Sequence, residues 1–151
     1  MRVRVITVSD RSANGVREDT CGPLLAELLG AAEAPVVVAD DVSEIAQAVT
    51  AACQTHDLVV TTGGTGVAPR DVTPEAVRPL LDKELPGVLE AVRAEGSKHV
   101  PTAVLSRGVA GTVGSAFVVT LPGSTGGVRD GAKVVLELAQ HVLDQLAGHD
   151  H

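Results

Sequence analysis

The run Thr61-Thr62-Gly63-Gly64-Thr65-Gly66 comes directly after the apolar stretch Leu58-Val59-Val60, and five residues past its last glycine stands an acid, Asp71. Glycine frees the backbone to take φ > 0 and lets a ligand approach the peptide plane with no Cβ in the way. Successive N–H groups in such a loop, with the hydroxyls of Thr61, Thr62 and Thr65, make a concavity suited to phosphate or another anion. A carboxylate beside an anion is unfavourable unless a cation or a proton lies between them, so the pattern points to phosphate chemistry with a metal. A plainer reading stands beside it: glycines punctuate strand ends, and aspartate ties turns by accepting backbone N–H groups. Two better-known glycine motifs are excluded. A Walker loop ends in Gly-Lys-Ser/Thr, which is absent, and the spacing to Pro69 and Thr73-Pro74 does not fit a dinucleotide fingerprint.

Other residues with chemical potential also come after apolar runs: Ser9-Asp10-Arg11, Asp40-Asp41, Ser106-Arg107 and Gly123-Ser124. Arg11, Arg70, Arg107 and Lys98 are candidates for neutralising phosphate. Asp41 with Glu44 three residues on reads as a capping box, which leaves Asp40 for chemistry. The five histidines show no ligand spacing and are expected to be non-catalytic.

Positioning these groups falls to alternating strands and helices. Val3 to Val8 predicts a first strand, 9–18 a polar loop, and a helix starts near Thr20 with Pro23 in its first turn, where a missing N–H costs nothing. A second strand spans 35–38. The next helix carries Ile45, Ala48, Val49, Ala52 and Cys53 on one stripe. Leu58 to Thr61 is apolar throughout, as in a strand covered on both faces. Thr73-Pro74-Glu75 reads as N-cap, N1 and N2, and a further helix runs from Pro86 to about Glu95. Ala116 to Leu121 is a buried strand ending in a second glycine-rich loop, 122–127. A last helix, 128–147, carries Val128, Ala132, Val135, Leu136, Ala139, Val142, Leu143 and Leu146, and Gly148 stops it. The expected fold is a three-layer α/β/α sandwich around a mostly parallel sheet, one domain over 1–148 with a tail at 149–151. In such sheets ligands bind at the carboxyl ends of strands, where every polar set named above falls.

Composition narrows the partners. One aromatic residue, Phe117, provides no stacking platform for single-stranded nucleic acid. A net charge of −7 argues against a phosphodiester backbone or an anionic membrane surface. Cys21 and Cys53 are too few and too far apart for a disulfide framework or zinc site, which fits a reducing cytoplasm.

Taken in order, Ser9-Asp10-Arg11, Asp40-Asp41, Thr61-Thr62-Gly63-Gly64-Thr65-Gly66, Arg70-Asp71-Val72-Thr73-Pro74, Leu105-Ser106-Arg107 and Leu121-Pro122-Gly123-Ser124 resemble the MogA/MoaB family of molybdenum cofactor biosynthesis. The resemblance runs from about Val3 to Leu146. It implies a molybdopterin adenylyltransferase that moves AMP from ATP to the terminal phosphate of molybdopterin, with Mg²⁺ as cofactor and a homotrimeric state. By the same resemblance Asp40 and Asp71 hold the Mg²⁺ and, with Ser106, act in catalysis. Thr62, Gly63, Gly64, Thr65, Gly66, Arg107, Gly123, Ser124, Ser9, Asp10 and Arg11 then bind substrate and phosphate. The sequence departs from the family at Ala39, where proline is usual, so Asp40 and Asp41 compete for the role of the first acid. Cys21 and Thr125 are further departures. A non-catalytic pterin-binding homologue is the alternative.

Overall fold

A computed structural model describes residues 1–149. Its strands are β1 (Val3–Val8), β2 (Val36–Val38), β3 (Leu58–Thr62), β4 (Lys83–Glu84), β5 (Ala110–Val113) and β6 (Ala116–Leu121). Its α-helices are α1 (Asp10–Ala13), α2 (Cys21–Leu29), α3 (Val42–Thr55), α4 (Thr73–Val77), α5 (Pro86–Ser97) and α6 (Thr125–Leu146). The strands form one sheet in the order β2-β1-β3-β6-β5-β4. The first four are parallel, with Ile6 opposite Val36, Val3 opposite Leu58, and Leu58 opposite Phe117. The last two run antiparallel to their neighbours.

Both faces of the sheet are covered. Val5, Val60, Phe117 and Val119 pack beneath α2, α5 and α6, and Ile6, Val8, Val59 and Val118 pack beneath α3 and α4. Every residue of β3 and β6 is therefore buried, which is why these strands are mostly apolar, broken only by Thr61, Thr62 and Thr120. The architecture is the expected α/β/α sandwich. Among the described residues no helix is long and apolar enough to cross a membrane.

Local capping explains where the helices start. The Asp41 carboxylate accepts from the Glu44 N–H at 2.9 Å, satisfying one of the orphan donors of α3. Ser124 does the same for α6 through the Gly127 N–H at 3.1 Å. Gly148, at φ 86°, takes the left-handed conformation just past the end of α6.

Four expectations need correction. The segment after β1 is not all loop: Ser9 caps the one-turn helix α1, accepting from the Ser12 N–H at 3.2 Å. Thr73 is not an N-cap, since Val72 holds that position and the buried Thr73 hydroxyl donates to the Gly63 carbonyl at 2.9 Å. Residues 125–127 are not loop but the first turn of α6, made possible by the Ser124 cap. Leu136 faces solvent at 48 % exposure, and Val134 takes a buried place on α6 instead. Strands β4 and β5 carried no legible signal. Of the tail expected at 149–151, only His149 lies within the described residues.

Candidate functional site

The chain leaves β1 toward one side to form β2 and returns to the other side to form β3, so the strand order reverses between β1 and β3. Such a switch point opens a crevice at the carboxyl ends of the strands. Here it is a cleft of about 930 Å³, walled by the ends of β1, β3 and β6, by the first turn of α6, and by the segment 96–106.

The glycine loop forms its floor. Gly63 and Gly64 sit at φ 107° and 71°, and a Cβ on Gly63 would collide with the Val8 carbonyl. Only glycine meets both demands. The loop is pinned by Gly63 N–H to Leu121 C=O at 3.0 Å, Thr73 N–H to Gly64 C=O at 3.1 Å and Thr62 Oγ1 to Pro122 C=O at 2.8 Å. Gly123 packs so tightly on the loop that a Cβ there would lie 3.1 Å from Gly63 Cα. By contrast, the N–H groups of Gly64, Thr65 and Gly66 have no acceptor among the described residues. Three successive unused donors in a loop that lines a cleft are suited to an anion. Of the hydroxyls expected to help, Thr62 is spent inside the fold as above, Thr61 Oγ1 is buried without a partner among the described residues, and Thr65 accepts from Ser106 Oγ at 3.3 Å while keeping its own O–H.

Two carboxylates overhang this floor. Asp10 and Asp40 exchange backbone-to-side-chain bonds, with Asp10 N–H to Asp40 Oδ2 at 3.0 Å and Asp40 N–H to Asp10 Oδ1 at 2.9 Å. Asp40 Oδ1 points at Gly64, where a Cβ would stand 3.2 Å away. Burial, and then the charges of Asp10 and Asp71, raise the Asp40 carboxyl above its ordinary range, while the backbone bond from Asp10 and the charge of Arg70 oppose the rise. Asp71 Oδ2 accepts from Ala68 N–H at 3.0 Å and comes within 2.8 Å of where a Gly66 Cβ would be. Asp71 therefore ties its turn and also lines the cleft; the plain reading and the chemical one coexist. Two acids lining one cleft, one of them held at an electrostatic cost, beside unused amide donors are residues that could hold a divalent cation.

A probable molybdopterin binding domain is recognised over residues 4–141. Two proteins named molybdopterin adenylyltransferase are similar to this chain. That of Helicobacter pylori strain J99 is 37 % identical, covering 99 % of this chain and 89 % of its own length. That of Pyrococcus furiosus is 41 % identical over 92 % of this chain and 87 % of its own. A molybdopterin biosynthesis protein from Mycobacterium abscessus has the same fold, with a TM-score of 0.91, 49 % identity, and coverage of 97 % of this chain and 96 % of that one. The chain belongs to the molybdopterin-binding family.

Within this family member, the expected residues separate into two groups. Ser9, Asp40, Thr62, Gly63, Gly64, Thr65, Gly66, Asp71, Ser106, Gly123 and Ser124 all border the cleft. Asp41 is occupied as a helix cap, so Asp40 is the acid that faces the site. Arg11, Asp10 and Arg107 do not border it. Arg11 is exposed on α1. Asp10 is paired with Arg70, whose hydrogen bond holds its carboxyl below the usual range, so neither charge is spare. Arg107 turns away from the cleft: Nε donates to Gly66 C=O at 2.8 Å, and its terminal nitrogens reach the Asp71 carbonyl and the Glu75 carboxylate. Lys98 pairs with Glu95 at 2.9 Å.

Other cleft residues escaped sequence reasoning. Asp19 accepts from the Thr7 hydroxyl at 2.7 Å and from Gly22 N–H at 3.0 Å, fixing the start of α2 at the cleft's edge. An aspartate three residues before glycine at a helix start was the available signal. Arg17 and Arg129 border the cleft and have no ion-pair partner among the described residues, yet nothing in their spacing marks them. His99 lies 3.6 Å from Asp130, with Glu95 nearby. Hydrogen bonds from Lys98 and Lys133 hold Glu95 down to about 2, so that cluster is already neutralised by ammonium groups.

Proposed function

We propose that this protein is a molybdopterin adenylyltransferase, joining AMP from ATP to the terminal phosphate of molybdopterin and releasing pyrophosphate. The observation that carries the reading is that Asp40 and Asp71 line one cleft at the switch point of a family member, beside Gly64 and Gly66, whose amides and that of Thr65 are unused. A phosphate oxygen of the pterin attacks the α-phosphorus of ATP, the new P–O bond forms, and the bond to the β-phosphate oxygen breaks. The substrate supplies its own nucleophile, so the protein's task is alignment and charge compensation. The Gly64–Gly66 amides hold non-bridging oxygens of one phosphate. The opening turn of α6, with Ser124, receives the other anionic group at a helix N-terminus. Ser106 donates to Thr65 Oγ1 and leaves the Thr65 O–H free to orient a phosphate oxygen between the two. Asp40 and Asp71 would hold Mg²⁺, which when bound would supply positive charge between the two anions.

The remaining features of the reading are a cytoplasmic setting, where ATP is available, and a homotrimer, supported by family resemblance. Exposed Val67, Val100, Val104 and Leu105 offer apolar surface for self-association, which light scattering would measure. The decisive experiment supplies molybdopterin, ATP and Mg²⁺ together and monitors adenylylated pterin and pyrophosphate. Product is expected only with all three, and chelation should abolish it. Tight pterin binding with no product under any metal would instead establish a non-catalytic pterin-binding homologue.

A further inference from the structure

Arg107 reaches both ends of the segment that carries Asp71. Its backbone N–H donates to Thr65 C=O at 2.8 Å and its Nε to Gly66 C=O at 2.8 Å. One terminal nitrogen donates to Asp71 C=O at 3.0 Å, and the two terminal nitrogens grip both oxygens of Glu75, at 2.8 and 3.2 Å. Between these anchors the turn is closed by the mutual bonds of Ala68 and Asp71, and Arg70 ties its outer edge to Asp10. A trans peptide points its N–H opposite to its C=O. The backbone N–H of Arg107 therefore turns the Gly66 N–H to the side away from residue 107, a contact that any residue at this position keeps, whereas the side chain acts on the far end of the turn. The Arg107 and Glu75 side chains are 37 % and 50 % exposed, so their ion pair adds little stability. What the pair supplies is geometry.

From this we infer that Arg107, braced by Glu75, is the positioning residue that sets the Asp71 carboxylate toward the cleft. It does not bind substrate phosphate. The inference rests on the reading of Asp71 as a magnesium ligand at the phosphate site. The planar fork of arginine is essential to it, because a single ammonium cannot span Gly66, Asp71 and Glu75 together.

The test compares Arg107→Lys and Glu75→Gln with the wild-type full chain. Three readouts are needed: steady-state kinetics, calorimetric ATP binding with and without Mg²⁺, and amide hydrogen exchange. Arg107→Lys should lower kcat about tenfold and raise the Mg²⁺ concentration for half-maximal rate several-fold, an effect expected when a positioning contact is loosened. Exchange at the Ala68 and Asp71 amides should quicken while β3 and β6 stay protected. Magnesium-free ATP affinity should not change, and Arg107→Lys should weaken Mg·ATP binding no further in an Asp71→Asn background. Glu75→Gln should give the same pattern more weakly, and it carries the test if Arg107→Lys does not fold. Unchanged exchange across 66–71 with unchanged kcat would overturn the inference. So would a loss of ATP or molybdopterin affinity that is equal without Mg²⁺ and fully additive with Asp71→Asn, the mark of direct phosphate contact. If the wild type itself made no adenylylated product, the proposed reaction would fail, while hydrogen exchange would still decide the brace.

Discussion

The two glycine-rich segments at the ends of β3 and β6 look alike in sequence and fold in opposite ways. After β3, Gly63 and Gly64 adopt left-handed conformations, and backbone from β1 and β6 presses on them. After β6, Gly126 and Gly127 continue straight into a 22-residue helix, and a Cβ on Gly126 would meet nothing within 4 Å. The first is glycine by necessity of φ and space; in the second Gly126 alone is unconstrained, since a Cβ on Gly127 would lie 2.9 Å from Pro122 Cβ and one on Gly123 3.1 Å from Gly63 Cα. Both present N–H groups to the same cleft, one as an irregular loop and one as a helix start. Composition alone did not distinguish them. Their neighbours in the chain do: a proline-bounded turn beyond the first, and a capping serine and an apolar stripe on either side of the second.

The largest effect on the β3 side should come from chemistry. Asp71→Asn is expected to lower kcat by about 10²-fold or more with little change in unfolding temperature, because the charge acts mainly in the transition state. Near-normal turnover of adenylylated pterin would remove the acid from the mechanism. Gly63→Ala should be mainly a folding lesion, costing about 2–4 kcal/mol in denaturant melts, since it combines strain at φ > 0 with a backbone collision. A matching loss at Gly126→Ala would erase the contrast; instead that substitution should stabilise by about 0.5–1 kcal/mol. Ser124→Ala should cost about 1 kcal/mol through loss of the cap.

The subtlest effect concerns pH. Burial and neighbouring acids raise the Asp40 carboxyl above its ordinary value of 3.8. The folded state thus binds this proton more tightly than the unfolded one. Stability falls as pH rises from about 3.8 through the raised value, and the deficit persists above it. Asp40→Asn should therefore melt higher than wild type at neutral pH and equal it below that window, while losing turnover. Mg²⁺ should raise the wild-type melting temperature at neutral pH and leave the variant unmoved. A destabilised Asn variant at neutral pH would contradict the assigned environment of Asp40.

The elements most legible in the sequence were those whose signals are local or whose burial is complete. Asp41 with Glu44 announced α3, and the mostly apolar runs announced β3 and β6. Strand β4 is two exposed charged residues, and β5 is small residues including Gly111. Both are strands only because a partner lies alongside, which local pattern does not record. Thr73 looked like a cap because threonine caps helices, but the buried Gly63 carbonyl claimed its hydroxyl. At the site, residue types were readable and directions were not. Arg107 has the right charge for phosphate, yet three carbonyls and a carboxylate on the far side of the loop hold it there.

The pairing of Leu58 with Phe117 joins positions 59 residues apart, and the glycine loop hangs from the Leu121 carbonyl at the end of that same seam. During synthesis, β1 to β3 can emerge and pair well before β6 exists, but the loop then lacks its far wall. Such long-range closure is slow relative to local helix formation. The glycine loop is accordingly among the last parts of the molecule to take shape, and a chain stopped short of β6 would carry every one of its residues without the loop itself.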